Sequence, residues 1–254
     1  MNMNARHALV TGGGQGIGAA IAQELVVRGL NVTVLGRRLE VVQALAAYAP
    51  ARMLAVSADV TDPAQVAEAV AQAERHFGPV EVLVNNAGQA QTSSLLKMNL
   101  ELWDQMLSVN LTGTLVCIQA VLPGMVSRGW GRVVNVASTA GQVGYVYASA
   151  YCAAKHGVLG LTKALALEMA RKGVTVNAVC PGYTETDLVR ESIERVIAKT
   201  GRSVDAARAE FVKSNPQGCL VQPQQVADAV AWLCGDRSSA VTGQSIFVAG
   251  GEVM

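Results

Sequence analysis

Three side chains in this sequence have the types and the spacing that proton transfer at an oxygen atom needs. Tyr151 and Lys155 stand four positions apart in Tyr151-Cys152-Ala153-Ala154-Lys155-His156-Gly157-Val158, a segment of helical character. An i,i+4 spacing places the phenol and the ammonium on one face of a helix. A free tyrosine titrates at about pH 10, too high for easy exchange at neutral pH; a nearby ammonium stabilises the phenolate and lowers that value. Tyr151 is thereby a candidate general acid or base. Ser138, thirteen positions upstream, follows the apolar run 132–137. It is expected at the carboxyl end of a central strand, where open α/β sheets build their sites. Its hydroxyl is suited to donate to an oxygen on which negative charge develops. Each residue alone reads as a buried Tyr, a capping Ser or a surface Lys. The three at this spacing do not.

A glycine-rich turn precedes them. Thr11-Gly12-Gly13-Gly14-Gln15-Gly16-Ile17-Gly18 follows a first strand-like run and opens a helical stretch. Glycines allow a tight turn and a close approach of backbone to a pyrophosphate, and the helix start adds free N–H groups and a positive dipole end. The spacing is TGxxxGxG rather than GxGxxG, and the strand–turn–helix context supports a dinucleotide site. Such sites read the adenosine ribose after the second strand, where an acidic residue suits NAD and a basic one the 2′-phosphate of NADP. Here the strand ends in Gly36-Arg37-Arg38 with no carboxylate. Guanidinium groups pair bidentately with phosphate, so NADP(H) is expected, with NAD(H) the alternative.

The elements that must position these residues alternate from end to end. Strand-like runs fall at 7–10, 31–35, 52–56, 80–84, 132–137, 174–179 and 244–248, with helical stretches at 17–29, 38–48, 63–77, 99–127, 150–172 and 223–234. Nearly continuous apolar strands alternating with helices predict an α/β fold, a doubly wound parallel sheet of about seven strands covered on both faces. Asp62-Pro63 supplies an N-cap and a Pro at the first helical position, while Gly29 and Gly78 stand where helices end. No linker or low-complexity tract divides residues 1–254, so one domain is expected. A charged, helix-prone insertion at 187–216 follows a strand's carboxyl end, a place for a lid.

Composition excludes several function classes. Of 254 residues 51% are hydrophobic and 15% charged, and 20 Lys+Arg against 19 Asp+Glu leave a net charge of +1. That balance carries no footprint for nucleic acid or an anionic membrane. Cys117, Cys152, Cys180, Cys219 and Cys234 form no CxxC pair and read as reduced core residues of a cytoplasmic protein. The segment 1–7 is too short for a leader before the first strand. Residues 105–127 carry no charge but are interrupted by Asn110, Gly113, Pro123 and Gly124, poor for a bilayer span, and read as a helix covered by protein. His7, His76 and His156 are far apart with no cysteine at ligand spacing, so no metal is expected.

These motifs resemble those of the short-chain dehydrogenase/reductase family over almost the whole chain: TGGGQGIG at 11–18, Asp59-Val60, NNAG at 85–88, Asn110 in SVNLTG, Ser138, YCAAK at 151–155 and PGYTET at 181–186. The resemblance implies that Tyr151 is the general acid in carbonyl reduction. Lys155 would hold the nicotinamide ribose, Ser138 orient the substrate oxygen, and Asn110 support a water chain to Lys155. It further implies that Gly12, Gln15, Gly16, Ile17 and Gly18 line the pyrophosphate, Arg37 and Arg38 the 2′-phosphate, and Asp59 and Val60 the adenine. Asn86, Ala87 and Gly88 would pass beside the adenosine half, and Pro181, Gly182, Thr184 and Thr186 meet the nicotinamide. A homotetramer, packed through the helices at 99–127 and 150–172, is implied as well.

Within the family, the stretch 132–181 most resembles 3-oxoacyl-[acyl-carrier-protein] reductases and polyketide ketoreductases, which implies a ketone or 3-oxoacyl thioester substrate on an acyl carrier protein or coenzyme A. Arg128, Arg132, Arg171 and Lys172 are candidates for a basic rim receiving such a carrier, against an ordinary reading as solvated helix ends. Ala140 stands where 3-hydroxybutyrate dehydrogenases carry a histidine for the substrate carboxylate, which disfavours the free acid. Gln89, Gln142, Val143, Tyr145, Tyr183 and Leu188, with Tyr147, form the expected substrate wall. The rival readings are an NAD-dependent 3-hydroxyacyl-CoA or secondary-alcohol dehydrogenase working oxidatively, and a non-catalytic dinucleotide sensor. The intact Ser138, Tyr151 and Lys155 speak against the sensor.

Overall fold

In the computed structural model, residues 5–253 are described; residues 1–4, part of the segment read above as too short for a leader, and residue 254 lie outside them. Seven parallel strands form one sheet in the order β3-β2-β1-β4-β5-β6-β7. They are β1 (His7–Thr11), β2 (Asn31–Gly36), β3 (Met53–Ser57), β4 (Val80–Asn85), β5 (Gly131–Val136), β6 (Val174–Pro181) and β7 (Ser245–Val248). The central strands β1, β5 and β6 are buried along their whole length, as a sheet covered on both faces requires. The order reverses between β1 and β4, the switch point at which a Rossmann-type sheet opens a crevice at its carboxyl edge.

Helices α1 (Gly16–Val27), α2 (Leu39–Ala46), α3 (Pro63–Phe77), α4 (Leu100–Leu107), α5 (Gly113–Arg128), α6 (Ser149–Met169), α7 (Asp187–Thr200), α8 (Val204–Val212) and α9 (Pro223–Leu233) complete the chain. Ile21 and Leu25 of α1, Val42 of α2 and Val226 and Val230 of α9 pack on one face of the sheet. Val66 and Val70 of α3, Ile118 and Val121 of α5 and Leu165 of α6 pack on the other. Each such fully buried aliphatic side chain stabilises the fold by roughly 1.5–3 kcal/mol. The boundaries follow local chemistry. The Asp62 carboxylate accepts from the amides of Ala64 and Gln65 at 2.9 and 3.1 Å, and Gly29 and Gly78 take φ of 93° and 82°, open to glycine at little cost.

Two features depart from the expected elements. The stretch read as one helix over 99–127 is divided by a π-helical segment, Ser108–Thr112, with Asn110 at its centre. The run Leu100–Arg128 holds an 18-residue window with a mean hydropathy of 1.6 and is long enough to cross a membrane, although it carries core contacts from Met106, Ile118 and Val121. The insertion at 187–216 is a helical pair, α7 and α8, with its own small core of Val189, Ile193, Ala207 and Leu220.

His7, at the opposite end of β1 from the switch point, is buried. Its Nδ1–H donates to the Gly78 carbonyl at 2.7 Å, which leaves Nε2 to accept from the Thr33 hydroxyl at 2.9 Å. Burial disfavours the imidazolium and lowers its pKa below the ordinary 6.5. The unfolded chain therefore binds the proton first, so stability is full above about pH 6.5 and is lost as pH falls toward the lowered folded value. Melting temperatures measured between pH 7.5 and 5 should fall more steeply for the wild-type protein than for His7→Gln; parallel curves would remove His7 as the cause.

Candidate active site

The glycine turn and the 85–88 loop are stitched together at the switch point. The Thr11 hydroxyl accepts from the amides of Asn86 and Ala87 at 3.1 and 3.0 Å. The Asn86 side-chain amide donates back to the carbonyls of Thr11 and Gly12 at 3.1 and 3.0 Å. This leaves no room for side chains. A Cβ on Gly12 would lie 2.8 Å from the Ala87 Cα, and one on Gly18 would lie 2.2 Å from the Gly12 oxygen. Gly12 and Gly16 also take φ of 61° and 55°. Helix α1 begins without a side-chain cap on Gln15 and without an acidic residue in its first turn, so its leading N–H groups face the turn unopposed. Across the gap, a Cβ on Gly16 would meet the Thr186 methyl at 3.3 Å. The start of α7 therefore faces the phosphate turn. A backbone cradle of this shape, with uncapped helical amides, fits a dinucleotide pyrophosphate.

At the adenosine end, Arg37 and Arg38 are both exposed at the start of α2. Arg38 donates to the Gln15 side-chain oxygen at 2.7 Å, which joins it to the phosphate turn. Arg37 makes no side-chain hydrogen bond among the described residues; only its carbonyl is engaged, by Ser57. The Asp59 carboxylate turns onto Thr61, accepting from its amide and hydroxyl at 2.9 and 2.8 Å, and Val60 is buried against Gly113.

Ser138 follows β5 and caps a single 3-10 turn, Thr139–Gly141, by accepting from the Ala140 amide at 3.1 Å. Its hydroxyl faces Tyr151, which α6 presents from the neighbouring layer. Lys155 is buried one turn further along α6, its ammonium 5.7 Å from the centre of the Tyr151 ring. The π-helical segment brings Asn110 to the same place. The Asn110 amide donates to the carbonyls of Met106 and Gln89, both at 3.0 Å, and its oxygen accepts from the Gln89 amide at 3.2 Å. A Cβ on Gly88 would lie 2.8 Å from the Asn110 oxygen and 3.7 Å from the Lys155 nitrogen. Asn110, Gly88 and Lys155 therefore share one corner, beside Ser138 and Tyr151.

The electrostatics differ from the expectation that Lys155 lowers the Tyr151 pKa. Burial pushes the Tyr151 phenol up to about 12, the Ser138 hydroxyl acting in the opposite direction. Burial likewise brings the Lys155 ammonium down to about 8. Lys155 donates to the Val136 carbonyl at 2.9 Å and lies beside the ring rather than at the phenolic oxygen, so desolvation outweighs its charge. The pair rests at neutral pH as a protonated phenol and a charged ammonium.

The remaining expected positions divide. Pro181 ends β6, the Gly182 amide donates to the Val248 carbonyl at 3.1 Å, and the hydroxyls of Thr184 and Thr186 each turn back onto a carbonyl two residues earlier. Tyr145 and Tyr183 meet edge to face, with ring centres 6.1 Å apart, and Tyr183 meets Phe211 of α8 at 5.1 Å. Gln142, Val143 and Leu188 are exposed around them. Gln89 has its backbone held by Asn110, and its side-chain oxygen accepts from Gln105 at 3.5 Å. The basic rim does not form as a unit. Arg132 is 4% exposed, with its guanidinium stacked on Trp130 at 4.4 Å, and Arg128 donates to the Val80 carbonyl at 2.7 Å. Cys219 is exposed, whereas the other four cysteines are buried. Two hollows of about 360 and 300 Å³, under Trp130 and beside α8, lie apart from this centre.

The family model for short chain dehydrogenases matches residues 6–196. The chain belongs to that family. As a short-chain dehydrogenase it is an NAD(P)-dependent oxidoreductase of CH–OH and C=O groups, and its relatives carry names of that kind. It is 42% identical to a putative ketoacyl reductase of Streptomyces coelicolor, with 96% of this chain and 95% of that one covered. It is 36% identical to a D-beta-hydroxybutyrate dehydrogenase of Rhizobium meliloti, with 96% and 97% covered. Among solved structures, an actinorhodin polyketide ketoreductase variant crystallised with NADPH superposes with a TM-score of 0.93 at 40% identity, covering 97% of each chain. The short-chain dehydrogenase motifs are visible in the sequence, with Thr11 opening the glycine turn, whereas Thr139, Phe211, Ser214 and Glu252 stand outside the expected site. Thr11 had a signal, as the polar residue ending β1 beside the glycines. Glu252 had none, since its partner Tyr145 is 107 positions away.

Proposed function

We propose that this protein is an NADPH-dependent carbonyl reductase acting on a 3-oxoacyl thioester, carried by an acyl carrier protein or coenzyme A. The observation that carries the reading is the grouping of the Ser138 and Tyr151 hydroxyls with the Lys155 ammonium beside them, next to a cradle shaped for a dinucleotide. The bound cofactor supplies a hydride to the carbonyl carbon. Ser138 donates a hydrogen bond to the carbonyl oxygen and holds it against Tyr151. Tyr151 gives its proton to that oxygen as charge develops there. Lys155 holds the nicotinamide ribose and restores the Tyr151 proton, with Asn110 anchoring the relay from solvent. Burial keeps the Tyr151 phenol protonated at neutral pH, the form that a general acid in reduction needs. Relatives named as ketoacyl reductases, one of them crystallised with NADPH, support the substrate class and the cofactor. Five unpaired cysteines fit a reducing cytoplasm, and the exposed Leu100, Leu115 and Leu167 fit burial between subunits of a homotetramer.

In this reading Arg37 pairs with the 2′-phosphate, while Arg38 is engaged with Gln15. Removing a charge-assisted pair costs about ten- to a hundredfold in affinity. Arg37→Ala should weaken NADPH binding by that factor and leave NADH binding in place, measured by fluorescence titration. Turnover of acetoacetyl-CoA with NADPH is expected in the wild-type protein. A preference for NADH would overturn the cofactor assignment and favour an oxidative hydroxyacyl or alcohol dehydrogenase.

A further inference from the structure

The segment after β7 returns to the substrate wall. Gly250 and Gly251 turn the chain with φ of 61° and 90°, and a Cβ on Gly250 would collide with the Asn215 side chain at 2.1 Å. The turn is thus packed against the end of the α7–α8 insertion, with Gly251 against Pro216. It delivers the Glu252 carboxylate to a point beside Gly182, where a Cβ would lie 2.6 Å from Oε2. There Glu252 accepts from the Tyr145 hydroxyl and, at 2.9 Å, from the Ser214 hydroxyl. Because the Tyr145 O–H donates to Glu252, its oxygen accepts from the Thr139 hydroxyl, 2.7 Å away. A chain of hydroxyls therefore runs from the residue after Ser138, through Tyr145 and Glu252, to the end of α8. Among the described residues Glu252 has no cationic partner, so its charge is balanced only by these hydroxyl donors. That charge reaches the aromatic wall: both Tyr145 and Tyr183 have their phenol pKa raised, burial being the larger cause and Glu252 a further one.

We infer that Glu252 is a specificity-determining positioning residue, which clasps the Tyr145 wall to the end of α8 and excludes substrates that carry a free carboxylate one methylene from the reacting carbonyl. The inference rests on the carbonyl-reductase reading and deepens it. The chain is similar both to ketoacyl reductases, whose name denotes an acyl substrate, and to D-beta-hydroxybutyrate dehydrogenases, whose named substrate is an acid. A fixed negative charge on the wall, with a hydrogen-bonded Tyr145 whose proton is already committed, leaves nothing there to receive a second carboxylate. An acyl group masked as an ester or thioester meets only the aromatic edges of Tyr145 and Tyr183.

The test compares ethyl acetoacetate with free acetoacetate, the same carbonyl with and without the charge. Wild-type protein should reduce the ester with the higher kcat/KM. Glu252→Gln keeps a side-chain oxygen to accept from Tyr145 and Ser214 but removes the charge. The ratio of kcat/KM for ester over free acid should fall about tenfold, through a lower KM for the acid. Glu252→Ala removes the clasp too, and amide hydrogen exchange should quicken in both 143–147 and 213–217, measured without cofactor or substrate. An unchanged ester-to-acid ratio in Glu252→Gln overturns the charge role, and unchanged exchange in Glu252→Ala overturns the clasp. If the wild-type protein reduces neither compound, the carbonyl-reductase reading fails. The exchange comparison then still decides whether Glu252 joins the two segments.

Discussion

Tyr151→Phe should fold as the wild-type protein does, bind NADPH with unchanged affinity and lose about a hundred- to ten-thousandfold in kcat, the range that positioned proton transfer supplies. The phenol ring packs beside Ala140 and Ala148, and phenylalanine keeps that contact. What disappears is the proposed proton donor, the hydroxyl that faces Ser138. The substitution also leaves the Lys155 ammonium and its bond to Val136 in place, so the cofactor contact proposed for Lys155 should be retained. Single-turnover kinetics with a saturating ketone would locate the loss in the chemical step. Retention of more than about a tenth of the wild-type rate would mean that another group, or water, delivers the proton.

Gly18→Ala should have the next largest effect, this time on binding. The added Cβ would stand 2.2 Å from the Gly12 carbonyl oxygen and 2.4 Å from the Asn86 amide nitrogen. Neither atom can withdraw cheaply, because Asn86 ties the turn to the neighbouring loop through the carbonyls of Thr11 and Gly12. Overpacking of this kind costs about 1–3 kcal/mol, or roughly ten- to a hundredfold in NADPH affinity if the turn must open to accept it. Gly14→Ala is the matched control. Its Cβ would press on a Val41 methyl rather than on backbone, so titration should show a smaller loss. Equal losses for the two variants would show that flexibility of the turn, rather than the close approach at Gly18, sets the affinity.

The insertion at 187–216 carries both kinds of information. Its helical character was readable from spacing, and α7 and α8 occupy it. That α8 ends against the segment after β7, through Ser214 and Glu252, was readable from neither segment alone. The basic rim shows the opposite case. Arg128, Arg132, Arg171 and Lys172 look alike as sequence, yet Arg132 is drawn under Trp130 and lost to the surface, because a guanidinium stacked on an aromatic face is held without needing water. Asn110 lies between these cases. The motif around it was legible, but the π-helical segment that turns its side chain toward Gln89 and Gly88 was not.

From its sequence alone, this protein's strand–helix order, its glycine cradle and the grouping of Ser138 with Tyr151 and Lys155 were determined. All of these follow from short-range rules: apolar periodicity, caps and glycine turns at element ends, and the four-residue repeat of a helix face. The tertiary structure decided which way the charges point. Lys155 turned to the Val136 carbonyl and left the Tyr151 phenol governed by burial, and Glu252 crossed to Tyr145 from the far end of the chain. Desolvation and contacts between residues distant in the chain exist only once the elements have packed, and no local pattern encodes them.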